Sequence, residues 1–140
     1  MRLTRWIVAP AAAALLAACG HGMHRGMHHG GNAAVAELQP TRGNTAAGAV
    51  RFEQHHMGVM VHARVTGLAP NSEHGFHVHE KGDCSSGDGM SAGGHFNPLG
   101  KPHGHPAKGE RHAGDMPNLK ADASGVAEAT FHLDGVTVGS

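Results

Sequence analysis

Aromatic side chains are scarce: four Phe, one Trp and no Tyr in 140 residues. Any core must therefore be built from Val, Leu, Ala and Met. Excess charge of either sign is missing too, with 11 Lys+Arg against 11 Asp+Glu. That balance argues against a nucleic-acid partner, whose binders normally carry a basic surplus. Cysteine is reduced to Cys19 and Cys84. No stretch carries the apolar spacing of a helix. The length suits one domain of roughly 100–150 residues plus extras. What is abundant is glycine, at 22 residues, and histidine, at 15. Glycine this frequent without a three-residue period indicates turn-rich β structure or loops and excludes collagen. Histidine is the commonest metal ligand, so its excess points to metal.

The first residues read as an address. Arg2 and Arg5 precede an apolar run from Trp6 to Ala18, broken only by Pro10. The run is shorter than the ~20 residues that a spanning helix needs, but it suits the apolar part of a secretory signal. It ends in Leu16-Ala17-Ala18-Cys19-Gly20, which resembles the lipobox of bacterial lipoproteins, where the cysteine is acylated after cleavage. An ordinary signal peptide containing an incidental cysteine is the alternative. Either way export is expected, into an oxidising compartment such as the periplasm where disulfides persist, with a lipid anchor on Cys19 holding the protein to a membrane. Residues 1–18 are thus read as signal peptide and 19–32 as a flexible tether rich in His and Met. Gly-Met-His occurs in that tether at 22–24 and again at 26–28. Imidazole with thioether favours copper, and Met selects Cu(I). The tether is either a metal-collecting tail or a polar spacer.

From residue 33 to 140 the pattern is that of one β domain. Ala33–Gln39 and Gly48–Gln54 alternate roughly, and Gly58–Thr66 alternates clearly, with Val59, Val61, Ala63 and Val65 on one face. Residues 67–72 form a turn cluster. His74–His79 reads as a strand, and so do Asn118–Asp122 and Val126–Leu133. Between Lys81 and Asp115 lies a Gly- and Pro-rich loop without aliphatic periodicity, and a loop that long in a compact domain is usually functional. The expected fold is all-β, an antiparallel sandwich or barrel with one large loop.

Chemistry concentrates in and before that loop. In Gly75-Phe76-His77-Val78-His79 the two imidazoles stand at i and i+2, on one face of an extended chain and about 6.5–7 Å apart. The loop adds His95, His103, His112 and Asp115, at intervals too irregular for one strand or helix face. Three imidazoles and a carboxylate are an acceptable tetrahedral zinc set.

These segments resemble a known family. Gly75-Phe76-His77-Val78-His79-Glu80, Gly93-Gly94-His95-Phe96-Asn97-Pro98 and His112-Ala113-Gly114-Asp115 are similar, in order and spacing, to the signature segments of copper/zinc superoxide dismutases. The resemblance runs from about Ala33 to Ser140 and implies a Greek-key β-sandwich or barrel. It also implies His77 and His79 as copper ligands, His95 as an imidazolate shared by both metals, and His103, His112 and Asp115 as the rest of the zinc site. Catalytic roles would fall to His77, His79 and His95, with superoxide as substrate, and Cys84 would be half of an intradomain disulfide. His74 matches a structural position, and His105 matches no ligand. A homodimer is compatible with the resemblance, although composition does not decide it. Such an enzyme must oxidise and reduce superoxide alternately, so it needs a redox metal. Zinc has no redox chemistry and would fix His95 and the loop.

The family pattern also implies a later segment with a fourth copper histidine, a channel arginine and a second cysteine. The sequence to Ser140 is therefore expected to be C-terminally incomplete, lacking the last strands. Zinc binding with weak or absent dismutase activity is the expectation for a product of this length. The alternative function is a non-catalytic periplasmic copper/zinc-binding protein of the same fold. A β domain with incidental histidines is a third reading.

Overall fold

The computed structural model describes residues 32–139. The N-terminal apolar run expected to be a signal, Cys19 and the Gly-Met-His repeats lie outside the described residues. Six strands follow in order: β1 (Ala33–Leu38), β2 (Ala47–His55), β3 (Gly58–Thr66), β4 (Glu73–His74), β5 (Leu119–Lys120) and β6 (Ala127–Leu133). Four of them form an antiparallel sheet in the order β1-β2-β3-β6, and β4 pairs with β5 in a second, two-stranded sheet. The chain leaves β3, makes its long excursion, and returns as β6 beside β3, a long-return connection of the Greek-key kind. Among the described residues there is no α-helix. Two short 3-10 turns, Met90–Ala92 and Pro106–Lys108, interrupt the loop.

Alternation decides which face is buried. Val59, Val61, Ala63 and Val65 on β3 point inward, and Val61 is 0 % exposed. Their register partners continue the same face: Val50 opposite Ala63, Leu133 opposite Val59 and Ala127 opposite Val65. Gly67, which leaves β3 with φ +73, has the backbone of Thr45 packed where a side chain would begin, so the turn there requires glycine. Phe76, Met116 and Leu119 close over the valine face and join the same core. Phe76 meets Phe131 of β6 edge-on, with centroids 6.4 Å apart at 89°, a favoured aromatic geometry. The scarcity of aromatics thus concentrates one aromatic contact where the loop docks on the sheet.

The expected strand over His74–His79 is shorter than its sequence suggests. Regular pairing ends at His74, whose Nε2 lies 2.6 Å from the Ser72 hydroxyl. Beyond it, His77 bridges to Asp115 and His79 to His95 as isolated pairs. The reason lies in the partners. Residues 76–80 are extended, but their hydrogen bonds go to two loop segments instead of to strands. Val78 N–H donates to Gly114 O at 2.9 Å, Phe96 N–H to Val78 O at 2.8 Å, and Met116 N–H to Phe76 O at 3.2 Å. Alternation still holds in this segment: Phe76 and Val78 face the core, so His77 and His79 face the loop.

Leu133 is 1 % exposed at the end of β6. Its replacement by Ala should cost about 2–5 kcal/mol in urea unfolding, whereas Val35→Ala, on an exposed position of β1, should change stability by about 0.5 kcal/mol or less.

Candidate metal centre

Asp115 is the fixed point of the site. Its residue is 1 % exposed, and a buried carboxylate needs partners. Oδ2 accepts from two backbone groups, Gly104 N–H at 3.0 Å and His112 N–H at 3.1 Å. Oδ1 faces imidazoles, with Nδ1 of His95 2.9 Å away and Nδ1 of His112 3.4 Å, while Nδ1 of His103 straddles the carboxylate, 3.1 Å from Oδ1 and 3.0 Å from Oδ2. Burial alone would push the Asp115 pKa up. The Gly104 and His112 N–H groups, the His95 ring and the charge of His103 outweigh it and bring the pKa down to about 2. The carboxyl is therefore an anion at any physiological pH.

The loop is folded to deliver these donors. Asp115 N–H returns to His112 O at 3.1 Å, closing the turn that carries both ligands. Gly114 lies against Val78 O and the Phe96 backbone, so close that a Cβ there would have no room. Asn97 clamps the loop start, its side chain donating to Lys101 O at 2.8 Å and accepting from Lys101 N–H at 3.0 Å.

Donor spacing tests whether an ion fits. A tetrahedral ion about 2.0–2.1 Å from each N or O donor separates the donors by roughly 3.3 Å. Here Nδ1 of His95 and Nδ1 of His112 are 3.4 Å apart, and the distances to Oδ1 of Asp115 bracket the same value. The three ring centroids form a nearly equilateral triangle, with sides of 5.2, 5.3 and 5.4 Å. Three imidazole nitrogens and a carboxylate thus converge at the spacing of a tetrahedral ion. The donor set fits zinc.

A second group adjoins it through His95. With Nδ1 of His95 on the Asp115 side, the same ring is also in contact with His77 and His79. His77 stacks on His95 with centroids 3.9 Å apart and planes at 17°, and His79 meets it edge-on at 5.3 Å. His79 Nδ1–H donates to Gly93 O at 2.9 Å. That bond fixes the tautomer and leaves Nε2 as the ligand atom. Burial, and then the neighbouring His95, hold the pKa of His77 below its ordinary value, so the ring is neutral and its lone pair free. His77 also leans toward the first group: one donor atom each from His77, His95, His103 and Asp115 lie within 4.8 Å of one another.

All six residues singled out from the sequence are thus brought together. His105 instead caps the turn at Pro106, accepting from Ala107 N–H at 3.2 Å. What the sequence did not reveal is the backbone support: Gly104 N–H, His112 N–H, Gly93 O and the space at Gly75. A Cβ on Gly75 would fall 2.8 Å from Cε1 of His77. The paired glycines before His95 were a visible signal, since they let the chain approach the Glu80 side chain closely.

Two substitutions separate the halves of the site. Asp115→Asn should abolish stoichiometric zinc binding in a chelator competition. Because the carboxyl is held below the ordinary 3.8, the stability it contributes to the metal-free protein is present above that pH and is lost as the pH falls through about 2. The stability gap between wild type and Asp115→Asn should shrink accordingly. Gly75→Ala should displace His77 and weaken copper at least about tenfold while zinc stoichiometry is kept, since the four tetrahedral donors exclude His77.

Comparison with known proteins accords with this geometry. The family model for copper/zinc superoxide dismutase matches residues 46–140. The Cu-Zn superoxide dismutase of Saccharomyces cerevisiae is 46 % identical over 100 residues, covering 70 % of this chain and 63 % of the relative. The corresponding proteins of Yarrowia lipolytica and Mesembryanthemum crystallinum are 49 % identical over 101 residues (70 % of this chain, 63 % of the relative) and 50 % over 88 residues (62 % and 55 %). The chain therefore spans between half and two thirds of the length of these relatives. With a family model covering well over half of its residues, and with both histidine groups joined through His95, the chain belongs to the copper/zinc superoxide dismutase family.

Proposed function

We propose that the protein disproportionates superoxide into oxygen and hydrogen peroxide, with copper held by His77, His79 and His95 and zinc held by His95, His103, His112 and Asp115. The observation that carries this reading is the shared ring: Nδ1 of His95 is 2.9 Å from Asp115 Oδ1, while its face lies 3.9 Å from His77. One imidazole thus belongs to two donor groups.

Bound copper would supply one-electron redox chemistry, and bound zinc fixed charge. The chain's own residues do the rest. Asp115 and the two N–H groups behind it hold His95 in one orientation. Gly93 O does the same for His79. The His95 ring, lying against His77 and His79 and held from behind by Asp115, is the group in this chain that can keep a proton and hand it to the nascent peroxide. Phe76 and Val78, packed in the core, keep the histidine pair from swinging away.

The setting of the enzyme belongs to the same proposal. The Arg2/Arg5 start, the apolar run and Leu16-Ala17-Ala18-Cys19 support export and acylation of Cys19, hence a periplasmic, membrane-anchored protein. Cys84, exposed in the loop after His79, is assigned as half of a disulfide suited to that compartment, and assembly as a homodimer is compatible with the family. The second reading, a non-catalytic copper/zinc-binding protein, draws on one observation. The tetrahedral group is gathered around a single point, whereas the copper side offers three imidazoles of which two are stacked.

Rapid-mixing measurement of superoxide decay on the copper- and zinc-loaded protein separates the two. The dismutase reading expects decay above that of an equal concentration of chelated copper. It also expects loss on the order of 10²-fold or more in His79→Ala and His95→Ala. Full loading with both metals and no acceleration would favour the binding protein.

A further inference from the structure

The outer face of the main sheet carries a second gathering of metal-binding side chains, far from the loop in kind and direction. β3 buries Val59 through Val65 on one side and so turns Met60 outward. Met60 is the register partner of His132 on β6 and of Glu53 on β2. His55 lies at the end of β2 opposite Gly58, on the same face, because alternate residues share a side. Residues directly opposite have Cβ atoms about 4.5–5.5 Å apart, and diagonal ones remain within reach of long side chains. The register therefore sets His55, Met60 and His132 on one patch of the outer face. Gly58 puts no side chain between the two rings, whose centroids are 6.0 Å apart with planes at 59°.

That separation has chemical content. The rings around Asp115 stand 5.2–5.4 Å apart for a tetrahedral ion. Two imidazoles bound to one ion through nitrogens about 2.0 Å away reach 6.0 Å only when the angle between them opens toward linear. Wide angles with few ligands suit a monovalent d10 ion, and a thioether beside two imidazoles selects the same soft class. Two carboxylates adjoin the patch: Asp134, whose Oδ1 lies 3.3 Å from where a Cβ on Gly58 would be, and Glu53, which is engaged elsewhere. Glu53 Oε1 accepts from Arg51 Nε at 2.6 Å, and Oε2 lies 3.8 Å from His62. His62 is itself tied to the Thr130 hydroxyl at 3.1 Å. With Glu53 and His62 so engaged, the soft and borderline donors of the patch are two imidazole nitrogens and one sulfur.

The surroundings repeat the chemistry. His56 and Met57 form the tip of the β2–β3 hairpin next to His55, and Met57 is 82 % exposed. The described chain starts at the same edge, where Asn32 O accepts from Gln54 N–H at 2.8 Å. The sequence immediately before Asn32 holds both Gly-Met-His repeats.

We propose that His55, Met60 and His132 form a surface site for monovalent copper, separate from the metal centre of the loop. Its two imidazole nitrogens and one thioether sulfur bind Cu(I), and Ag(I) as its redox-inert counterpart, without any electron-transfer step. The proposal stands independently of the dismutase reading, since it uses none of that reading's residues.

The test is a titration of the full chain, its loop centre filled with zinc, with Ag(I). NMR of methionine methyl groups and histidine Cε1–H signals follows each ligand separately. The Met60 methyl and the His55 and His132 ring signals should shift together and saturate at one equivalent. Met60→Leu should weaken Ag(I) binding at the two rings about tenfold or more, and His132→Asn should remove the Met60 shift. Unchanged zinc content in each variant reports that the fold is intact. A parallel competition with a Cu(I) chelator should show one fewer Cu(I) held by His55→Asn. The proposal fails if the Met60 methyl stays still while Met23, Met27 or Met57 respond. It fails equally if Met60→Leu leaves Ag(I) affinity at the rings unchanged, or if the chelator competition finds the same Cu(I) content in His55→Asn.

Discussion

A carboxylate taken out of water and met by three imidazoles is the constraint on which this structure turns. Asp115 is anchored from behind by Gly104 and His112 N–H groups and presents its other oxygen to His95 and His112, with His103 facing both oxygens. Burial alone, without these N–H groups and imidazoles, would favour the neutral acid. With them the anion persists, and the four donors converge at tetrahedral spacing. Each remaining feature of the loop can be understood as a way of keeping that oxygen in place. Gly114 permits the close approach to Val78 O, and the Asn97–Lys101 clamp shapes the segment after His95.

The sheet enters this arrangement through neighbours in sequence. Phe76 precedes His77 and Met116 follows Asp115, and both are buried in the core built on Val59, Val61 and Leu133. Met116 N–H donates to Phe76 O, so the anchors of the two donor groups are bonded to each other. Packing energy in the core is thereby converted into positional precision at the ligands. A long loop poor in aliphatic residues would otherwise lose that precision to conformational entropy.

Much of this was legible beforehand, for identifiable reasons. Period-two alternation exposed the buried face of β3 without ambiguity, because every inward position there is Val or Ala. Histidines at i and i+2 signalled a shared face, and the irregular spacing of His95, His103, His112 and Asp115 signalled a wrapped loop. The extent of the strand after His74 was not legible. Its partners are residues 94–96 and 114–116, which carry no periodicity of their own and find it only by long-range pairing. Nor could spacing separate His103 from His105, two residues apart, one facing Asp115 and the other capping a 3-10 turn. The outward trio of His55, Met60 and His132 was hidden because it depends on register between three strands.

The central claim is that His95, His103, His112 and Asp115 hold one ion tetrahedrally. Zinc K-edge X-ray absorption on the zinc-loaded protein tests it most directly. The account predicts three imidazole nitrogens and one oxygen at about 2.0–2.1 Å, with the imidazole scattering pattern intact and the coordination lost in Asp115→Asn. A six-coordinate, oxygen-rich shell, or one unaffected by that substitution, would contradict it.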